Sequence, residues 1–262
     1  MVNIIFNAAL ICYLLSGFGY TLYLVFRNSM VKQFSVYLLG LGLFSHTVTI
    51  SLRSIDTGHG PYTTGFEIAS FLAWVIVVIY FCIEFKYKIK DLGAFVIPVV
   101  FLILLFSAFQ SREFSLIDES TTMFWLTMHR TLSIIGYAAF AIAFGAAVMY
   151  LIQENQVKTK KLGVMYFRMP SLEVLDNLNY KVISIGFPLF TLGFMTGSIW
   201  NIKTDESFAW DPIRTLPLIV VWLVYCSIFF GRLLVGWRGK KAAQGAILGF
   251  VSVIVSYFFH VV

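Results

Sequence analysis

The stretch GSIWNIKTDESFAWDPIRTLPLIVVWLVYCSIFFGRLLVGWRG, residues 197–239, sets a short tryptophan-bearing polar loop between two long apolar runs. Between Ile213 and Val235 the only charges are Arg214 and Arg232. At about 1.5 Å of rise per helical residue, such a run crosses a hydrocarbon core of roughly 30 Å. The loop is more than a connection, because it places Trp200 at the end of one helix and Trp210, Asp211 and Pro212 at the start of the next. Indole rings at that depth cap a membrane interface or form a platform for a flat ligand.

Outward from this stretch the same pattern repeats. The 262 residues are 59% hydrophobic and 12% charged, with a mean hydropathy of +0.85, which excludes a soluble single-core domain and defines a polytopic membrane protein. Eight apolar runs, at 3–26, 35–52, 67–85, 93–109, 125–152, 181–202, 213–235 and 243–262, are read as membrane spans, some crossing only with tilt or local thinning. The expected fold is therefore an all-α membrane helix bundle of about eight spans, one integral-membrane domain over residues 1–262. It carries a Trp-rich loop at 200–212 and a basic loop at 154–180. The first apolar run has no basic residue before it and is too long for a signal core, so it is expected to remain as a helix.

Charge sets the expected orientation. Of the 19 basic residues, one set of helix ends and loops takes all but Arg53, Arg112, Arg130, Lys203 and Arg214. The positive-inside rule then puts both termini outside. Inner-leaflet lipid accounts for the net charge of +6, so the bilayer is the expected partner and nucleic acid is not. A multi-pass protein of a bacterial inner, cytoplasmic membrane is expected. Cys12, Cys82 and Cys226 all lie in apolar runs without CxxC or CxxCH spacing, which speaks for packing and against a disulfide, a zinc site or covalent heme attachment.

The four histidines fall toward the side read as outer: His46 inside the second run, His59 in the loop after it, and His129 and His260 near helix ends. Trp125, Trp200 and Trp210 lie at that surface, with Trp74 and Trp222 somewhat deeper. Anchoring explains any single Trp, and a hydrogen-bonded interface residue explains any single His at a helix end. His46 is different, since an ionisable side chain within a span is costly; it is read equally as a ligand or as a histidine bonded to a neighbouring helix. Together these residue types fit a flat, apolar, metal-containing ligand. Neutral imidazole ligates heme iron, indoles stack on a porphyrin, and Arg130, Arg53, Arg214 or Lys203 pair with propionates. Spacing alone does not name heme. The runs carry no mid-membrane carboxylate, since Glu67 and Glu84 lie at span ends, which weakens pump and ion-coupled transporter readings and leaves a small-molecule transporter without heme as a lesser alternative.

The segments GSIW, WDP, WLVY, GWRGKKAA and AILGF resemble the tryptophan-rich signature and downstream helices of the cytochrome c assembly membrane proteins, the CcsA/HemX-like family. The resemblance continues through MHRTLSIIGYAAFAIAFGAAVMYL (128–151), PSLEVLDNLNYKVISIGFPLFTLGFMTGSIW (170–200) and, more weakly, SHTVTISLRSIDTGHGPYTTGFEIASFLAW (45–74). It implies non-covalent, b-type heme on an external platform. Trp200, Trp210, Asp211 and Pro212 match the family's loop, His129 its preceding histidine and His46 an early-helix histidine. His260 and His59 are additional ligand candidates, and an assembly subunit or an apocytochrome is the implied protein partner.

Departures accompany the resemblance. WDPIRTL stands where synthases of the family carry a WDPKETW-like run, Phe230 stands where they carry a histidine before Arg232, and their final GLHSY-like segment has no counterpart. Full cytochrome c heme lyase activity is therefore not expected, and no residue is assigned a catalytic role. The short length and PSLEVLDNL resemble the HemX-like branch, which implies the alternative of a regulator of tetrapyrrole synthesis acting on glutamyl-tRNA reductase through residues 154–180. Read from the residues alone, Leu172, Leu175 and Leu178 share one face of a short helix capped by Ser171, expected to lie on lipid. Gly186, Gly193 and Gly197, at spacings of seven and four, predict close helix packing.

Overall fold

The computed structural model describes residues 2–113, 121–160, 163, 166–203 and 212–261; the side chains of 121, 122, 212–214 and 258–261 are not described. The described residues form eight long α-helices and a single 3-10 turn. Seven of the helices are long and apolar enough to cross a membrane; the eighth, α8 (Lys240–Val261), is 22 residues long. The all-helical, multi-pass membrane fold expected from the apolar runs is thus the observed one. The chain groups into two compact units, residues 1–114 with 151–172, and 115–150 with 173–262.

The first unit holds α1 (Val2–Phe26), α2 (Ser29–Thr57), α3 (Gly65–Tyr87), the 3-10 turn Lys90–Leu92 and α4 (Gly93–Ala108). Local chemistry sets the ends of these helices. Asn28 caps α2 by accepting from the Met30 N–H, and Gly58 ends it in the left-handed conformation at φ 75°, where a side chain would be strained. Thr64 and Glu67 cap α3 reciprocally: the Thr64 hydroxyl accepts from the Glu67 N–H and the Glu67 carboxylate accepts from the Thr64 N–H, both at 3.2 Å. The fully buried Phe6, Tyr13 and Tyr20 of α1 and Leu39 of α2 contribute to the interior. The buried carboxylates Glu67, Glu84 and Asp91 of this unit are paired. Arg53 donates to Glu67 at 2.6 Å, Lys32 reaches Glu84 at 3.3 Å, Tyr20 donates to Glu84 at 2.8 Å, and Arg27 donates to Asp91 at 2.7 Å.

The second unit holds α5 (Thr121–Lys158) up to Tyr150, α6 (Leu172–Lys203) from Glu173, α7 (Pro212–Leu234) and α8. Pro212 opens α7, a position where its missing N–H costs no helical bond. Asp176 accepts both terminal nitrogens of Arg232 at 2.7 and 2.8 Å and the Gly239 N–H at 2.9 Å. The Arg232 guanidinium also lies over the Tyr180 ring, so one carboxylate ties α6, the end of α7 and the turn before α8. Along α5 and α6 small residues set the spacing. A Cβ added at Gly186 would lie 2.6 Å from Ala139 Cβ, and one at Gly136 would lie 2.8 Å from Phe190 Cβ. The close packing expected from the glycine spacing is present, and its partner is α5.

Helix ends differ from the expected loop bounds. α5 runs on to Lys158 and α6 begins at Leu172, so residues 154–158 and 172–180 of the expected inner loop are helical. Leu175 and Leu178 are buried as part of α6, where a separate helix on lipid was expected. Trp200 to Lys203 are likewise the last turn of α6, and the remainder of the Trp-rich loop, 204–211, lies outside the described residues. Hydropathy marks where apolar side chains stop, whereas the backbone ladder continues through residues such as Glu154 and Lys158, which pair at i and i+4.

The Arg53–Glu67 pair offers a direct test of what the burial of charge does in the first unit. Arg53→Met leaves Glu67, 2% exposed at its side chain, without its guanidinium and is expected to destabilise by about 3–5 kcal/mol. Lys158→Met breaks a pair whose lysine is 59% exposed and is expected to stay within about 1 kcal/mol. Thermal unfolding in detergent, run on both variants, measures the contrast.

Candidate functional site

His129 lies on α5 in the second unit, half-buried against α6. Its ring crosses the helix at Gly197: a Cβ there would sit 2.5 Å from His129 Nδ1 and 2.7 Å from Cε1. Only a glycine leaves that space. The ring's Nδ1 is 2.7 Å from the Gly193 carbonyl oxygen. A carbonyl only accepts, so Nδ1 must carry the proton, and in the neutral imidazole the lone pair is then on Nε2. This is the arrangement by which proteins present a histidine to a metal, with the second nitrogen donating to a backbone carbonyl that fixes ring and tautomer.

Aromatic and cationic groups share this end of α5 and α6. Trp125 stands one turn before His129 on α5, with Phe124 edge-on to it at 5.5 Å between centroids, and the Lys203 ammonium is 5.8 Å from the Trp125 ring. Trp200 follows Gly197 by three residues and is half-buried, on a neighbouring part of the same helical face. Arg130 is half-buried beside His129 in sequence. Trp222, read as a deeper tryptophan, donates its indole N–H to Thr191 Oγ1 at 3.1 Å. Of the predicted site residues in this unit, the structure groups His129 and Trp200 at one end of the α5–α6 pair. Trp210 and Asp211 lie outside the described residues, as do the side chains of Pro212, Arg214 and His260.

His46, in the first unit, has a different environment. It is fully buried, with Nε2 2.8 Å from Ser70 Oγ on α3 and Nδ1 3.3 Å from the Tyr13 hydroxyl on α1. Both ring nitrogens are thus engaged, and the ring joins three helices. His59 donates from Nδ1 to the Gly60 carbonyl at 2.9 Å, and its Nε2 is 3.4 Å from the Thr63 hydroxyl, so it is held within its own turn. Arg53, offered by the sequence to a propionate, donates Nε to Glu67 and a terminal nitrogen to the Arg112 carbonyl at 2.9 Å. Burial, and then the charge of Arg53, push the Arg112 guanidinium below its usual range. Trp74, at the same unit's surface, donates to Thr47 at 2.8 Å.

Sequence reasoning did not group Trp125 with His129, although it placed Trp125 at the surface, and did not find the Gly193 carbonyl or the placement of His129 on Gly197. The glycine spacing signalled close approach, but not by which side chain. It also missed Tyr13 and Ser70 as partners of His46, which no spacing within one helix reveals.

A multi-pass helical membrane protein is the class that the fold defines. Residues 62–262 match the model of the family described as Cytochrome C assembly protein, and the chain belongs to that family. It is 30% identical over 276 residues to the cytochrome c biogenesis protein CcsA of Guillardia theta, covering 96% of this chain and 90% of that one. It is 31% identical to the CcsA of Chlorella vulgaris over 83% and 79% of the two chains. It is 25% identical to the CcsA of a Synechocystis strain over 96% and 92%. Relatives from such different organisms do not confine the protein to a bacterial inner membrane.

If His46 holds three helices together, removing it should be felt as lost stability. His46→Leu strands two buried hydroxyls, Tyr13 and Ser70, at about 1–3 kcal/mol for each unsatisfied group. The expected result is a markedly lowered thermal midpoint in detergent, and an unchanged midpoint contradicts the anchoring role.

Proposed function

We propose that this chain is a membrane heme-handling protein of cytochrome c assembly, holding non-covalent, b-type heme at the end of α5 and α6. The observation that supports this most is the His129 Nδ1–H donated to the Gly193 carbonyl, which sets Nε2 as the ligating nitrogen. Bound there, heme would supply an iron that imidazole can ligate and a flat apolar face that favours aromatic contact. His129 would hold the iron. Trp200 and Trp210 hold the ring, Asp211 and Pro212 shape the loop, and Arg130, Arg214 and Lys203 are the propionate partners. His260 is a further ligand candidate. The printed name of the relatives, cytochrome c biogenesis protein, supports placing this handling in cytochrome c assembly, with an assembly subunit or an apocytochrome as the receiving partner.

His46 and Arg53 take smaller parts in this reading than the resemblance alone implies. Ligation by His46 requires first giving up its bonds to Ser70 and Tyr13, and propionate binding by Arg53 requires leaving Glu67. Both costs fall within a low-dielectric interior. The comparisons with relatives lend no support to the alternative role on glutamyl-tRNA reductase through residues 154–180, and part of the connection between α5 and α6 is tied to the fold. Within it, Arg168 donates to the Leu24 carbonyl, and Arg27 donates to the Arg168 carbonyl. PSLEVLDNL, one of the features resembling the HemX-like branch, supplies the first turns of α6, where Asp176 pairs with Arg232.

The purified full chain, titrated with hemin in mild detergent, is expected to develop a Soret band that shifts or disappears in His129→Ala and persists in His59→Ala. A parent that stays colourless, or a band indifferent to His129, overturns the reading.

A further inference from the structure

The seam between α5 and α6 contains an arrangement around His129 that goes beyond the ligand itself. His129 and Ser133 of α5 meet Gly197 and Gly193 of α6 in antiparallel order, with Gly136 and Gly186 further along the same seam. The Gly193 carbonyl accepts from His129 Nδ1 at 2.7 Å and also lies 2.9 Å from the Thr196 hydroxyl. That hydroxyl is equally 2.9 Å from the Leu192 carbonyl. A threonine has one O–H to donate, so Thr196 chooses between the two carbonyls. When it turns to Gly193 it shares the acceptor that orients His129; when it turns to Leu192 it leaves that acceptor to the imidazole.

We infer that Gly197, the Gly193 carbonyl and the Thr196 hydroxyl form a seat that positions and tunes His129, Gly197 acting by its lack of a side chain and Thr196 by competing for the carbonyl. The inference rests on the heme reading for its purpose, although the seat itself is a property of the protein alone. Two consequences follow. A methyl group at Gly197 occupies the volume of the His129 ring and must displace it, breaking the bond to Gly193. Removing the Thr196 hydroxyl leaves the carbonyl to His129, strengthens the N–H donation and makes Nε2 more basic.

Four forms of the full-length protein separate these effects from simple packing: the parent, Gly197→Ala, Gly186→Ala and Thr196→Val. Gly186→Ala is the control, because its added Cβ would lie 2.6 Å from Ala139 Cβ on the same seam without touching His129. Two measurements are made on each form, hemin titration and the tautomer of His129 by nitrogen NMR of histidine-labelled protein, with the His129 signal assigned by its loss in His129→Gln. The expected result is an Nδ1–H tautomer in the parent and in Gly186→Ala, lost in Gly197→Ala, whose hemin affinity falls by about tenfold or more, while Gly186→Ala stays near the parent. Thr196→Val is expected to bind hemin at least as tightly as the parent, with a more negative midpoint potential.

Equal losses in the two glycine variants, or an Nε2–H tautomer in the parent, overturn the seat. Should Gly197→Ala fail to fold, Thr196→Val decides, and an unshifted potential counts against the seat. Should the parent bind no hemin, the functional reading falls, while the tautomer comparison still tests the seat.

Discussion

Hydrocarbon offers no hydrogen bonds, so polar groups that this chain carries into the membrane gain by finding partners within the protein. Much of the interior chemistry is an answer to that constraint. Glu67, at the capped start of α3, collects the Arg53 guanidinium, the Thr63 hydroxyl and the N–H groups of Thr63 and Thr64. Asp176 collects Arg232 and the Gly239 N–H. Trp74 and Trp222 each give their indole N–H to a threonine on the preceding helix. Residues that look like a ligand set when read along the chain are thus partly claimed by the fold, and a functional reading has to be drawn from the remainder.

The histidines show how that selection works. His46 contacts two hydroxyls, each able to give or to accept, so neither tautomer is imposed and neither nitrogen is left to a ligand without a cost. His129 contacts a carbonyl, which can only accept, so its tautomer is imposed and the nitrogen suited to a metal is defined. The two residues are chemically identical; their partners on neighbouring helices set them apart. A sequence records that both are histidines at apolar positions. The identity of a partner on another helix depends on which residue of that helix comes opposite, and apolar periodicity within a single span carries no such register.

Other elements were legible to different depths for equally physical reasons. The apolar runs located the long helices among the described residues, seven of which are long and apolar enough to cross a membrane. The runs did not locate the ends of α5 and α6, since the backbone ladder persists through polar residues with good helical propensity beyond the hydrocarbon. Gly186, Gly193 and Gly197 announced close packing from their spacing alone. That His129 fills the space over Gly197 was not announced, because it depends on how far α5 is slid along α6. Arg53 was open to a propionate in the sequence and is bound to Glu67 in the fold, fourteen residues away across the turn between α2 and α3.

Close approach of helices in a membrane is driven by packing and by hydrogen bonds between them, since lipid is as apolar as the side chains it would exclude. At the α5–α6 seam these forces and the presentation of His129 use the same atoms. Bringing the backbones together requires small residues; one of them, Gly197, gives the imidazole its place, and the carbonyl exposed by that approach, Gly193, gives the imidazole its direction. A larger residue at Gly197 therefore alters helix spacing and ligand geometry together. Gly186 touches only the spacing and Thr196 only the hydrogen bond, so the two functions that the seam combines can be separated along its length. The placing of the His129 ring is in this sense a product of how α5 packs on α6.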